Sequence, residues 1–181
     1  MLSVNDQFPA FQLNGINAEN QHVTVSSSQL EGSWAVIYFY PKDFTFICPT
    51  EIAGMDKLMD EAIVLGISGD NEYCKLNWKL QNEIIGQIKH TLAGDTGLYL
   101  STECGILDIN EGVCLRATFI LDPTGTIQHV SANALDTGRS ADEILRTIQA
   151  LDENNRQGTF ILFYKEPSKK YKGEKGIYPK P

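Results

Sequence analysis

The sequence predicts an α/β fold, a central mixed sheet flanked by helices, and three observations predict it. An apolar run at 34–40, a helical pattern at 49–61 and a second apolar run at 62–68 form a strand–helix–strand unit. Such a unit implies a parallel pair with a right-handed crossover. The stretches 116–121 and 126–131 flank Asp122-Pro123-Thr124-Gly125, a turn signal that joins antiparallel strands. A final amphipathic helix follows Ser140 and gives the sheet a cover.

Each element has its own justification. The run from Trp34 to Tyr40 is rich in aromatic and β-branched side chains, as a strand buried on both faces requires. Ile52, Met55, Leu58, Met59 and Ala62 recur at helical spacing, so the helix at 49–61 packs one face on the sheet. Residues 62 to 68, Ala-Ile-Val-Leu-Gly-Ile-Ser, read as the second buried strand. A further helix is expected over about 71–85, with Leu76, Leu80 and Ile84 among its apolar positions. Ser140-Ala141-Asp142-Glu143 has the capping-box pattern, and Ile144, Leu145, Ile148 and Leu151 continue the last helix.

Composition bounds what the chain does. Its 181 residues suit one domain, and 42% apolar residues build a core without disulfide staples. The formal charge of −8 argues against nucleic acid, which is held through cationic contacts to phosphate. The first residues, Met1-Leu2-Ser3-Val4-Asn5-Asp6, lack a basic segment followed by an apolar one, so no secretory signal is expected. No apolar run approaches the ~20 residues of a membrane span. A cytoplasmic location, without membrane association, is the expectation. Cys48, Cys74, Cys104 and Cys114 form no C-x-x-C pair, and with His22, His90 and His129 they offer no paired metal-ligand spacing. Residues 161–181 hold six lysines against two glutamates, a charge of +4 that leaves −12 on the first 160. We therefore divide the chain into a domain at 1–155 and a lysine-rich tail at 156–181. The tail reads as a solvated end; the alternative is a docking tail anchored by Phe160, Ile161, Leu162 and Phe163.

Cys48 is the candidate nucleophile. It lies in Pro41-Lys42-Asp43-Phe44-Thr45-Phe46-Ile47-Cys48-Pro49-Thr50-Glu51, directly after the first buried strand. Proline is favoured at the first helical position, so Pro49 puts Cys48 at or near the N-cap, facing free backbone N–H groups. Such surroundings, with a nearby cation, lower a thiol pKa from about 8.5 to roughly 3.5–7.5. Thr45, about one turn before the sulfur, can donate its hydroxyl to a thiolate. Pro41 can shield the sulfur and offers no competing N–H.

At these residues the sequence resembles the peroxiredoxins, in particular the alkyl hydroperoxide reductase C / thiol-specific antioxidant group of the typical two-cysteine branch. The likeness spans about residues 2–155. Beyond the cysteine motif it includes Asp6-Gln7-Phe8-Pro9-Ala10-Phe11, Asp70-Asn71-Glu72-Tyr73-Cys74-Lys75-Leu76-Asn77-Trp78, Leu115-Arg116-Ala117-Thr118-Phe119-Ile120-Leu121-Asp122-Pro123 and Gly138-Arg139-Ser140. The resemblance implies a thioredoxin-like fold and a thiol peroxidase acting on hydrogen peroxide and organic hydroperoxides, with no metal, haem or flavin. It makes Arg116 the cation beside Cys48, lets Thr45 contact sulfur and peroxide, and has Pro41 cap the pocket. Glu51 is expected to orient the arginine, Arg139 to support the network, and Tyr40 to supply a further hydroxyl or simply pack.

Cys48 would become a sulfenic acid, the reversible first step of thiol oxidation, and a thiol must then resolve it. Two-cysteine relatives carry that thiol in the C-terminal tail, whereas no cysteine follows Cys114 here. Cys74 is the candidate replacement, Cys104 and Cys114 read as structural thiols, and the simplest alternative is an external thiol or a reductant protein. The glycine-rich insertion and Tyr-Phe ending tied to overoxidation sensitivity in some relatives are missing, which implies a peroxide-robust enzyme. The resemblance also implies a homodimer, with a decameric ring contact near Tyr73–Trp78. The competing class is a ring-forming holdase chaperone or redox-signalling scaffold with minor turnover.

Overall fold

A computed structural model describes residues 1–157. Residues 158–181, which hold most of the expected tail at 156–181 and its proposed anchor, lie outside the described residues. In chain order the elements are β1 (Gln12–Ile16), β2 (His22–Ser26), β3 (Ala35–Phe39), α1 (Cys48–Gly54), β4 (Ile63–Ser68), α2 (Glu72–Gln81), β5 (Thr91–Gly94), α3 (Tyr99–Glu103), β6 (Leu107–Asp108), β7 (Val113–Cys114), β8 (Arg116–Leu121), β9 (Ile127–Asn133) and α4 (Ala141–Gln157). Seven strands form one sheet in the order β2-β1-β5-β4-β3-β8-β9, and β6 and β7 pair separately. β3, β4 and β5 are parallel neighbours, while β8 joins β3 antiparallel, so the sheet is mixed. This is the thioredoxin-like arrangement that the sequence predicts.

The strand period of two divides the core. Ala35, Ile37 and Phe39 of β3 face one layer with Phe119, Leu100, Cys104 and Cys114. Val36, Tyr38 and Tyr40 face the other, with Cys48, Ile52, Met55, Leu58, Trp78, Ile144 and Ile148. Cys48 and the helices α1, α2 and α4 therefore share one face of the sheet. Ile52, Met55 and Leu58 are fully buried there, each side chain contributing about 1.5–3 kcal/mol to docking of the α1 segment. Among the described residues no helix is long and apolar enough to cross a membrane.

Two helices depart from expectation. The helix predicted over 49–61 ends at Gly54 and tightens into a 3-10 turn at Met55–Leu58. The tighter winding turns Met55 and Leu58 into the core and Asp56 toward Lys89 and His90, leaving Met59 exposed. The helix predicted over 71–85 starts as expected, where Asn71 accepts from the Cys74 N–H, but stops at Gln81. Asn82 leaves helical angles and its side chain accepts from the backbone N–H groups of Ile84 and Ile85. The expected apolar face is also wrong: Leu80 and Ile84 are exposed, whereas Lys75, Trp78 and Lys79 are buried. Both lysines reach internal acceptors, Lys79 donating to the Asn17 carbonyl at 2.6 Å and Lys75 to the Ser68 hydroxyl at 2.6 Å. The β1–β2 hairpin, β5, α3 and the β6–β7 pair were not anticipated from the sequence.

Candidate active site

Cys48 is the first residue of α1, with Ile47 at the N-cap and Pro49 just inside the helix. The register is one residue later than an N-cap cysteine and leaves the sulfur at the same helix start. Its side chain is fully buried. Arg116 opens β8, the strand beside β3, and its Nη1 donates to Cys48 Sγ at 3.4 Å. The same Nη1 donates to Glu51 Oε2 at 2.6 Å, and Nε donates to the Leu135 carbonyl at 2.7 Å. Glu51, one turn after Cys48, also accepts at Oε1 from the Arg139 backbone N–H at 2.8 Å and from Arg139 Nε at 2.7 Å. Arg139 Nη1 donates to the Ala117 carbonyl at 2.7 Å. The structure thus brings Cys48, Glu51, Arg116 and Arg139 into one connected cluster.

The charges of this cluster do not cancel. Two guanidiniums face one carboxylate, and the three side chains are almost wholly buried. Burial of an uncompensated charge is costly, so buried charges are normally paired. One positive charge remains beside Cys48 Sγ, and a thiolate is the anion that would complete the balance. Burial acts to raise the Glu51 carboxyl, but the hydrogen bonds and charge of Arg139, aided by Arg116, override it and hold the group below its usual range. Glu51 therefore stays ionised and acts as a fixed acceptor for both arginines.

The remaining predicted residues are placed differently. Thr45 is half-buried, and its hydroxyl donates to the Lys42 carbonyl at 3.2 Å, its one hydrogen bond among the described residues. Pro41 is half-buried just beyond β3. The loop turns sharply at Phe44, whose φ of 57° is in the left-handed region. Tyr40 is buried, but its hydroxyl is taken up elsewhere: it donates to Asp43 Oδ1 at 2.8 Å and accepts from Lys75 Nζ at 3.1 Å.

That second cluster was invisible to sequence reasoning. Lys75 also lies 3.3 Å from Asp43 Oδ1, with both side chains fully enclosed. Burial raises the Asp43 carboxyl, and Lys75 offsets only part of that effect. Asp43, Asp70 and Cys74 bring donor atoms within 4.8 Å of one another, and the Lys75 ammonium is the cation that Asp43 already holds. The one signal in the sequence was a pair of lysines, Lys75 and Lys79, flanking Trp78 on a single helix face.

The other thiols have distinct environments. Cys74 is partly buried, and burial with the Asp43 and Asp70 carboxylates pushes it up to about 11. Cys104 is raised to about 12 by burial and by Glu103 and Asp95, and Cys114 to about 11, chiefly by burial. Cys104 and Cys114 lie in the layer on the opposite side of the sheet from Cys48.

Comparison with known proteins agrees with this architecture. Residues 4–130 match the AhpC/TSA family. Alkyl hydroperoxide reductase C of Mycolicibacterium smegmatis is 38% identical over 170 residues, covering 85% of this chain and 87% of that protein. The mitochondrial thioredoxin-dependent peroxide reductase of Drosophila melanogaster is 36% identical over 167 residues, covering 87% and 71% respectively. Among solved structures, the reduced 2-Cys peroxiredoxin of Plasmodium vivax superposes with a TM-score of 0.86 at 34% identity, covering 93% of this chain and 92% of that one. Enterococcus faecalis AhpC gives a TM-score of 0.84 at 30% identity, covering 89% and 99%. With the family match over residues 4–130, relatives of 38% identity and the shared fold, the chain belongs to the AhpC/TSA family of peroxiredoxins.

Proposed function

We propose that this protein is a cytoplasmic thiol peroxidase in which the Cys48 thiolate reduces hydrogen peroxide and organic hydroperoxides. The observation that carries the reading is the surplus positive charge of Arg116, Arg139 and Glu51, aimed at a buried sulfur. The thiolate attacks the terminal oxygen of the peroxide: an S–O bond forms, the O–O bond breaks, and the sulfur becomes a sulfenic acid. The other oxygen leaves as alkoxide or hydroxide and takes a proton from water. Arg116 holds the anion before attack and faces the developing charge on oxygen, the kind of preorganised donor that lowers such barriers most. Thr45 would exchange its Lys42 contact for the sulfur and peroxide, and Pro41 would exclude water.

For recycling, we infer an external thiol. The sulfenic acid reacts with it to give a mixed disulfide and water, and a second thiol releases Cys48 as a new disulfide forms. Two features support this: Cys104 and Cys114 are across the sheet from Cys48, and Cys74 is disfavoured as a thiolate by burial and by two carboxylates. The names of relatives fit a reductant protein as the donor, one of them being a thioredoxin-dependent peroxide reductase. Association of copies into dimers and a ring is supported by exposed aromatic side chains at Phe44 and Tyr73.

Peroxide consumption with a small thiol or a thioredoxin system tests the function. Wild-type protein should turn over and Cys48→Ser should not. Equal consumption by both, or aggregation suppression with no Cys48-dependent turnover, would replace the enzyme with the chaperone or scaffold.

A further inference from the structure

Arg139 grips Glu51 on one side, and it is also supported on the other. Its guanidinium carbon lies over the ring of Tyr38, 5.2 Å from the centroid. Nη2 is buried without a hydrogen-bond partner among the described residues. An unsatisfied buried donor is costly, and the negative face of an aromatic ring is the electron-rich surface offered to this guanidinium. The position of the Tyr38 ring therefore bears on where Arg139 can sit.

That ring is fixed at its far end. Tyr38 Oη is 2.6 Å from His90 Nε2, and His90 Nδ1 is 2.6 Å from Asp56 Oδ1. Both Asp56 oxygens also accept from the Lys89 backbone N–H, at 3.0 and 3.1 Å. Burial acts to raise the Asp56 carboxyl, but these bonds hold it below its usual range. An ionised carboxylate only accepts, so Nδ1 carries the proton that faces it. With Nδ1 committed to Asp56, Nε2 is the ring nitrogen left for the Tyr38 hydroxyl. Burial drives the Tyr38 hydroxyl well above its ordinary range, so it remains a donor. The sequence leaves room for this on the next strand: a Cβ at Gly66 would lie 2.5 Å from Tyr38 Oη.

We propose that Tyr38 is a positioning residue for the Cys48 site. Asp56 and His90 hold its hydroxyl, the hydroxyl fixes the ring, and the ring supports Arg139 where it grips Glu51 and, through Glu51, Arg116. The inference rests on Cys48 and Arg116 being the reacting pair, and its test keeps the two ideas apart. In wild-type protein, Cys48-dependent peroxide turnover decides the reading of the site. The role of Tyr38 is decided by Tyr38→Phe, which keeps the ring and removes only the hydroxyl, with His90→Leu and His90→Gln as a companion pair.

The readouts are the second-order rate with hydrogen peroxide, the pH profile of Cys48 alkylation by iodoacetamide, and the melting temperature. Tyr38→Phe should slow peroxide reduction about fivefold, the size expected from one lost buried hydrogen bond, and move the alkylation profile to higher pH. His90→Gln, whose amide oxygen can accept from Tyr38, should recover most of the rate lost in His90→Leu. A lower melting temperature in Tyr38→Phe with wild-type rate and alkylation profile would overturn the proposal and leave Tyr38 a packing residue. Tyr38→Phe decides the matter even where His90→Leu does not fold.

Discussion

Arg116 is the residue whose removal tests the charge argument most sharply. In Arg116→Met, Glu51 keeps Arg139 as partner, the cluster becomes neutral, and no surplus positive charge remains for the sulfur. At 3.4 Å the bare attraction between guanidinium and thiolate is about 5 kcal/mol at an effective dielectric of about 20. Net charge-assisted hydrogen bonds are worth less, about 1.5–3 kcal/mol. With each 1.36 kcal/mol worth about tenfold in rate, peroxide reduction should slow roughly 10- to 150-fold. Arg116→Lys keeps the charge but cannot fork among Leu135, Glu51 and Cys48, so its loss should be intermediate. Stopped-flow measurement of the peroxide rate constant, with melting temperature as a fold control, provides the assay. A folded Arg116→Met protein within about twofold of wild type would refute the reasoning.

Three other outcomes follow from the same contacts. The Glu51 carboxyl is held low in the folded state, so it stabilises the fold above its unfolded value near pH 4.3, and that contribution disappears as pH falls through the folded value. Glu51→Gln should be less stable at pH 7 and lose less on acidification, as read by urea denaturation from pH 3 to 7; parallel stability curves would contradict this. Lys75→Met strands Asp43 in the core and should cost about 3–5 kcal/mol at pH 7. Because the Asp43 carboxyl is already raised, part of that loss should return at lower pH as the group protonates, and an undiminished penalty would count against it. Gly66→Ala places a methyl against Tyr38 Oη and Leu92 Cδ2, so it should destabilise the fold by about 1–3 kcal/mol. An unchanged urea midpoint would show that the strands accommodate it freely.

The legible parts of the fold were those with strong periodicity and strong punctuation. β3, α1 and β4 stand out because an unbroken apolar run, a helical stripe and another run follow one another. Asp122 to Gly125 marks the β8–β9 turn through backbone chemistry alone, with Gly125 at φ 80° and the Asp122 carboxylate accepting from the Thr124 and Thr126 N–H groups. The β1–β2 hairpin was not legible because β2 lies at the sheet edge with no fully buried residue. β5 is only four residues long. The buried face of α2 misled because it uses lysine stems with internally bonded ammoniums, which hydrophobicity patterns assign to solvent.

The site was legible to a similar depth. Cys48 and Glu51 are local to one helix start, so spacing alone pairs them. Arg116 and Arg139 lie 65 and 88 residues from Glu51 in sequence, and only the resemblance could bring them forward. Tyr38, His90 and Asp56 were missed because each is ordinary in its own segment. A tyrosine in a strand, a histidine before a strand and an aspartate on a helical turn acquire meaning only when parallel pairing stacks β3, β4 and β5. Tyr40 shows the opposite limit. Its hydroxyl was a reasonable candidate by position, and only the structure reveals that Asp43 and Lys75 occupy it.

The most direct test is peptide-mapped mass spectrometry under non-reducing conditions, after one equivalent of hydrogen peroxide, with and without a sulfenic-acid trap. The expected result is Cys48 carrying the trapped sulfenic acid, with Cys74, Cys104 and Cys114 unmodified and no intrachain disulfide. A disulfide from Cys48 to any of those three would contradict resolution by an external thiol, and oxidation that spares Cys48 would contradict the peroxidase site itself.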